Sequence, residues 1–249
     1  MLSLEKLVII PTYNECENIE SIIGAVMDLP TDFHVLIIDD GSPDGTANMV
    51  RAMFARYPGR LFLEERRGKL GLGTAYIHGF KWALARPYQY IFEMDADFSH
   101  NPVDLIRLHE ACVQGADVAV GSRYIKGGKV KNWPFQRVAL SVGASIYTQL
   151  ITWMPVKDPT AGFVCYSRKV LEHMRLDNIR FIGYAFQIEM KFNAWKLGYS
   201  IKEVPITFID RKLGASKMHT NIIKEGIMGV LILRWMSLKR GYKHQISND

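Results

Sequence analysis

Tyr90-Ile91-Phe92-Glu93-Met94-Asp95-Ala96-Asp97 is an apolar run of strand character that closes on two acids one residue apart. Successive side chains of an extended chain alternate faces, so extension carried through to Asp97 would point both carboxylates the same way, able to share one cation. Paired carboxylates suit Mg²⁺ or Mn²⁺, which keep several waters and complete their shells with substrate phosphates. The stretch predicts a buried strand with a phosphate-handling site at its carboxyl end. An isolated Asp-x-Asp also opens turns, so the neighbouring segments carry the decision.

Those neighbours repeat the pattern. Leu7-Val8-Ile9-Ile10 reads as a strand buried on both faces and ends at Pro11. Asn14 and Glu17 then predict the cap and capping-box partner of a helix over Ile19, Ile22, Ile23 and Val26. Val35 to Ile38 is a second strand ending on Asp39-Asp40, and Gly41 to Gly45 is a turn into a helix that reaches about Tyr57. A third strand, Leu61 to Glu64, leads into the basic, glycine-rich loop Arg66 to Thr74 and a helix with Tyr76, Phe80, Trp82 and Ala83. That loop is either a phosphate seat at a helix N-terminus or a plain junction; its spacing is not that of a P-loop.

After the fourth strand, Pro102 starts a helix to about Gln114, and a fifth strand, Asp117 to Gly121, ends at Ser122-Arg123-Tyr124. Regular βα alternation predicts a doubly wound, mostly parallel sheet that binds ligands at the carboxyl ends of its strands. Asp40, Asp95, Asp97 and Arg123 all fall just past a strand. Downstream lie a helix from Gln136 to Met154 containing Arg137, the acidic turn Asp158 to Phe163, a strand Phe163 to Tyr166, a helix opened by Gly183 to Met190, and a strand Ile201 to Phe208. Asp210 to Lys217 reads as a lid over phosphates or as a solvated loop.

Composition agrees with one globular domain: 249 residues, 48% apolar, and 31 basic against 25 acidic residues for a net charge of +6. Cys16, Cys112 and Cys165 are scattered, with neither zinc-site nor disulfide spacing, and the apolar run before Pro11 is too short for a signal peptide. A cytoplasmic protein is expected, with no nucleic-acid partner. No G-x-G-x-x-G follows the first strand, which ranks a Rossmann dehydrogenase last among the readings. His100 and Cys165 lack partners at functional spacing and read as structural.

Taken together, Pro11-Thr12-Tyr13-Asn14-Glu15, Ile38 to Thr46, Lys69 to Ala75, Asp95-Ala96-Asp97-Phe98-Ser99-His100 and Gly121-Ser122-Arg123-Tyr124 resemble glycosyltransferase family 2, in particular its dolichol-phosphate (polyprenol-phosphate) mannosyltransferases. The resemblance continues through Lys217. It implies a GT-A type α/β fold over residues 1–218, followed at 219–249 by a C-terminal amphipathic helix and basic tail. It further implies inverting transfer of mannose from GDP-mannose to dolichyl or polyprenyl phosphate, with Mg²⁺ or Mn²⁺. By position, Pro11, Tyr13, Glu15, Ile38 and Asp40 match residues that hold the donor nucleoside. Asp95, Ala96 and Asp97 match the metal and diphosphate motif, with Asp95 and Asp97 as metal ligands. Arg123, Arg211 and Lys217 match phosphate contacts, Arg123 and Arg137 the acceptor phosphate, and Asp97, Arg123 and Arg211 the catalytic set. Ser99 departs from relatives that carry a metal-ligating Gln there, and its shorter hydroxyl leaves that ligand to water.

A phosphate acceptor is already anionic at neutral pH, so this chemistry needs no general base. It needs cations that hold two anions together and neutralise the departing diphosphate. A UDP-sugar transferase or a non-catalytic sugar-nucleotide binding subunit are the alternatives. Ile223, Ile227, Val230, Leu231, Trp235 and Leu238 recur at helical spacing before Lys239, Arg240, Lys243 and His244. That pattern fits an interfacial membrane helix as well as one packed on its own domain, and the expected attachment is peripheral, at the cytoplasmic face, directly or through an anchoring membrane subunit.

Overall fold

A computed structural model describes residues 5–210 and 220–239. Its strands are β1 (Lys6–Thr12), β2 (His34–Asp39), β3 (Leu61–Glu65), β4 (Tyr90–Glu93), β5 (Val118–Ser122), β6 (Lys129–Lys131), β7 (Val164–Ser167), β8 (Ile201–Pro205) and β9 (Thr207–Ile209). Its helices are α1 (Ile19–Met27), α2 (Thr46–Ala52), α3 (Leu72–Leu84), α4 (Asp104–Val113), α5 (Phe135–Thr152), α6 (Arg168–His173), α7 (Tyr184–Lys196) and α8 (Thr220–Lys239). Seven strands form one sheet in the order β3-β2-β1-β4-β7-β5-β8, parallel except for β7, which runs antiparallel to both neighbours. β6 and β9 form a separate parallel pair.

The continuous apolar strands are sandwiched, as their composition requires. Leu7 to Ile10 and Val35 to Ile38 are fully buried. Alternation divides them: Val8, Ile10, Val35 and Ile37 meet Ile22, Val26, Val50 and Leu108 on one face, while Leu7, Ile9, Leu36 and Ile38 meet Tyr76, Phe80 and Phe186 on the other. Each such aliphatic side chain contributes roughly 1.5–3 kcal/mol of transfer free energy. Helix α3 lies so close to β1 that a Cβ on Gly79 would come within 2.7 Å of Ile9 Cγ2, so glycine is required there.

Strand order reverses between β1 and β4, and the loops after those two strands diverge from a crevice at that switch point. Several local expectations shift. β4 ends at Glu93, so Asp95 and Asp97 lie on a loop, and loop geometry rather than strand alternation brings them together. α1 begins at Ile19 without a side-chain cap; Asn14 instead sits at φ 57° with its N–H donating to Ser42 Oγ. α2 stops at Ala52. The single strand expected over Ile201 to Phe208 breaks after Pro205, which has no N–H to continue a ladder, and its second half pairs with β6.

α8 packs on α5 and α7 and buries Val230 and Leu233 in a cluster with Ile188 and Phe192. Its other side leaves Ile227, Met228, Leu231, Trp235 and Leu238 exposed, and α5 leaves Leu140, Ile146 and Leu150 exposed. No helix among the described residues is long and apolar enough to cross a membrane.

Candidate active site

A cavity of about 460 Å³ opens at the carboxyl ends of the strands and collects Pro11, Tyr13, Glu15, Asp40, Asp95, Ala96, Asp97, Arg123 and Arg137 along its lining. These nine come from segments spread over more than half the chain. Ile38 is the exception: its side chain is fully buried in the core beneath α3 and does not reach the cavity. Arg211 and Lys217, with the expected lid beyond Asp210 and the basic tail beyond Lys239, lie outside the described residues.

At the β1–β2 end, the acid pair after β2 divides its work. Asp39 accepts from Thr12 Oγ1 (2.9 Å) and from the Ser42 N–H and hydroxyl (2.9 and 2.6 Å), tying β1 to the Gly41 turn. Asp40 accepts from Arg66 Nε at 2.7 Å and from the Leu70 N–H at 3.2 Å, with both side chains of the ion pair over nine-tenths buried. Arg66 in turn donates to Thr74 Oγ1 at 2.8 Å in the first turn of α3. The basic loop is therefore anchored by Asp40, which leaves Lys69 over the Tyr13 ring at 5.2 Å.

At the centre, Asp97 Oδ1 accepts from the Ser99 N–H at 3.0 Å, and Asp95 Oδ2 lies 4.0 Å from His100 Nδ1. His100 is buried, stacked on Phe163 at 4.8 Å, and lines the cavity as well as the core. Burial pushes its pKa down to about 4, against the opposing pull of Asp97, and it remains a neutral imidazole. Among the described residues no three His, Cys, Asp or Glu side chains converge on a metal position. Two carboxylates beside an open cavity, with the Ser99 hydroxyl buried and without a hydrogen-bond partner nearby, suit a hard cation that takes its other oxygens from water and a diphosphate.

The far wall holds a second buried pair. Arg123 donates from Nε and Nη2 to the two oxygens of Asp158 at 2.7 and 2.6 Å, and from Nη2 to Thr160 Oγ1 at 2.8 Å. Asp158 also accepts the Arg123 N–H and is fully buried. Nε and Nη2 of Arg123 are thus committed to the wall. Arg137, on the first turn of α5, stacks over Trp133 at 4.1 Å and pairs with Asp210 at 3.0 and 3.1 Å. Trp133 and Phe208 escaped sequence reasoning. The signal was Trp133 four residues before Arg137, but Phe208 reaches the site only because β9 leaves the main sheet.

Residues 7–175 match the model of Glycosyl transferase family 2, and the chain belongs to that family. It is 46% identical over 224 residues to a polyprenol monophosphomannose synthase of Mycolicibacterium smegmatis, covering 90% of this chain and 84% of that one. It is 43% identical over 237 residues to an undecaprenyl-phosphate mannosyltransferase of Micrococcus luteus, covering 94% and 97%. Among solved structures, a mycobacterial protein shares the fold with a TM-score of 0.68 at 18% identity, over 92% of this chain and 74% of that one. A mannosyltransferase from Pyrobaculum calidifontis in complex with GDP-Man and Mn2+ shares it with a TM-score of 0.56 at 16% identity, over 94% and 74%.

Proposed function

We propose that the protein transfers mannose from GDP-mannose to a polyprenyl phosphate, with inversion at the anomeric carbon and dependence on a divalent cation. The observation that carries this reading is a cavity in which a carboxylate pair faces two arginines and, among the described residues, the one histidine in the lining is buried and neutral. Pro11, Tyr13, Glu15 and the Arg66-anchored loop form the nucleoside end. Asp95 and Asp97 hold Mg²⁺ or Mn²⁺, which when bound neutralises charge developing on the departing diphosphate. Arg137 receives the acceptor phosphate, releasing Asp210, and Arg123 adds positive charge from the wall. Arg211 and Lys217 complete the phosphate contacts. His100, neutral and buried, is not the base, and a phosphate nucleophile requires none.

The activities named for the two bacterial relatives support the mannosyl and polyprenyl-phosphate assignments. The metal and GDP-mannose assignments draw on the Pyrobaculum complex. The exposed apolar residues of α5 and α8 meet the membrane surface that contains the lipid acceptor, at its cytoplasmic face. The experiment is to mix the protein with anionic vesicles containing a polyprenyl phosphate, add GDP-mannose or UDP-glucose with Mg²⁺, and weigh the lipid product after sedimentation. Expected are protein in the vesicle pellet, a mannosyl lipid from GDP-mannose, and loss of product with a chelator. A hexosyl lipid from UDP-glucose alone would overturn the donor; protein remaining in the supernatant would overturn direct membrane contact.

A further inference from the structure

Behind the acid pair lies a polar network that none of the preceding roles uses. Glu93, the last residue of β4, is fully buried, and its Oε2 accepts from Gln187 Nε2 on α7 at 2.8 Å. The Gln187 side-chain oxygen accepts from Lys191 Nζ at 3.1 Å, one helical turn on. Lys191, also fully buried, donates to the Gln187 backbone carbonyl at 3.1 Å and to the Ala161 carbonyl in the cavity wall at 2.6 Å. Burial pushes the Glu93 carboxyl up and the Lys191 ammonium down, while their mutual attraction opposes both shifts.

These contacts decide which way the Gln187 amide faces. With Lys191 a donor only, Oε1 must be the atom beside it, so Nε2 is the atom on Glu93. One Nε2 proton and one Oε1 lone pair are left over. Gln187 lines the cavity together with Ala161, Gly162, Ile182 and Gly183, none of which has a polar side chain. A Cβ added at Gly162 would lie 3.7 Å from Nε2, so on that side the amide is covered by no side chain. Glu93 stands two residues before Asp95, and Gln187 shares the cavity lining with Asp95, Asp97 and Arg123. A sugar joined to a diphosphate at Asp95 and Asp97 would present its hydroxyls to this wall.

We propose that Gln187 recognises a hydroxyl of the transferred sugar, and that Glu93 and Lys191 are positioning residues that hold its amide in one orientation. This rests on the sugar-nucleotide reading of the cavity and adds the residue that selects the sugar. A site built to hydrogen-bond a hydroxyl discriminates strongly against a sugar that misplaces it, because the buried amide is then left unpaired. Two anchored bonds keep the amide from rotating to suit an epimer.

The test compares epimeric donors. kcat/KM is measured for GDP-mannose against GDP-glucose, and for UDP-glucose against UDP-galactose, in the wild type, Gln187→Met and Lys191→Met, with GDP affinity measured by calorimetry. In whichever pair the wild type uses, Gln187→Met is expected to lower kcat/KM for the preferred sugar by about ten-fold or more, narrow the epimer ratio, and leave GDP affinity unchanged. Lys191→Met is expected to follow the same pattern, and the double variant to add little, since both changes disable one amide. Gln187→Met keeps the side-chain length and decides the matter even if Lys191→Met fails to fold. An unchanged epimer ratio in Gln187→Met, or a loss that falls equally on GDP binding, would overturn the inference. Transfer from UDP-glucose alone would instead overturn the GDP-mannose reading while leaving the role of Gln187 to be decided by the second pair.

Discussion

The wall and the mouth of the cavity are each built around an arginine–carboxylate pair, and burial makes the two pairs different devices. In the wall, the side chains of Arg123 and Asp158 are 9% and 0% exposed, and Thr160 takes up a further donor. At the mouth, Arg137 and Asp210 are 23% and 27% exposed. Removing one partner of a buried pair strands a charge away from water, at a cost of roughly 3–5 kcal/mol. A pair that water partly reaches costs less to break, because water and salt compete for both ions. Resemblance assigned both arginines to phosphates. The structure separates a buried pair from one that water partly reaches, and motif position alone does not make that distinction.

Substitutions should break the comparison in a definite order. The largest effect is expected for Arg123→Ala, which leaves Asp158 buried and unpaired: denaturant unfolding should show a loss of roughly 3–5 kcal/mol, with activity falling because Thr160 and the wall lose their support. Arg137→Ala should leave unfolding within about 1 kcal/mol of the wild type yet raise the acceptor KM about ten-fold or more, the scale of a lost charge-assisted hydrogen bond. Equal stability losses in the two variants would erase the distinction. Asp210→Asn sharpens it further, since freeing Arg137 from its carboxylate should lower the acceptor KM.

The smallest effect is on pH dependence. The pKa of His100 is depressed to about 4 by burial, and those of His34 and His109 are also lowered, chiefly by burial. Each is therefore neutral in the folded state where the unfolded chain already binds a proton, so stability present above about 6.5 is lost as pH falls toward 4. Melting temperatures of metal-free protein should decline across that window, and His100→Phe, which keeps an aromatic ring against Phe163, should reduce the slope.

The sequence was most informative where a signal is local. Leu7 to Ile10 and Val35 to Ile38 are continuous apolar runs, and both proved to be strands buried on two faces. The segments after β1, β2, β4 and β5 were expected to meet, and they line one cavity. What escaped was pairing across the chain. Arg123 finds Asp158 thirty-five residues on, and Asp40 finds Arg66 twenty-six residues on, at separations where no spacing rule operates. β7 enters the sheet between β4 and β5 in the antiparallel sense, which four residues of apolar sequence do not encode. The extension supposed to align Asp95 with Asp97 ends at Glu93, and the backbone bonding to β1 closes with the Met94 N–H donating to the Ile9 carbonyl.

The central claim is that Asp95 and Asp97 hold the cation that steadies the departing diphosphate, with no carboxylate acting as acid or base. Its most direct test is turnover of Asp97→Ala with GDP-mannose and polyprenyl phosphate at saturating Mg²⁺, alongside its far-ultraviolet circular dichroism. A fall in turnover by orders of magnitude with an unchanged spectrum is predicted; near-normal turnover would contradict the account.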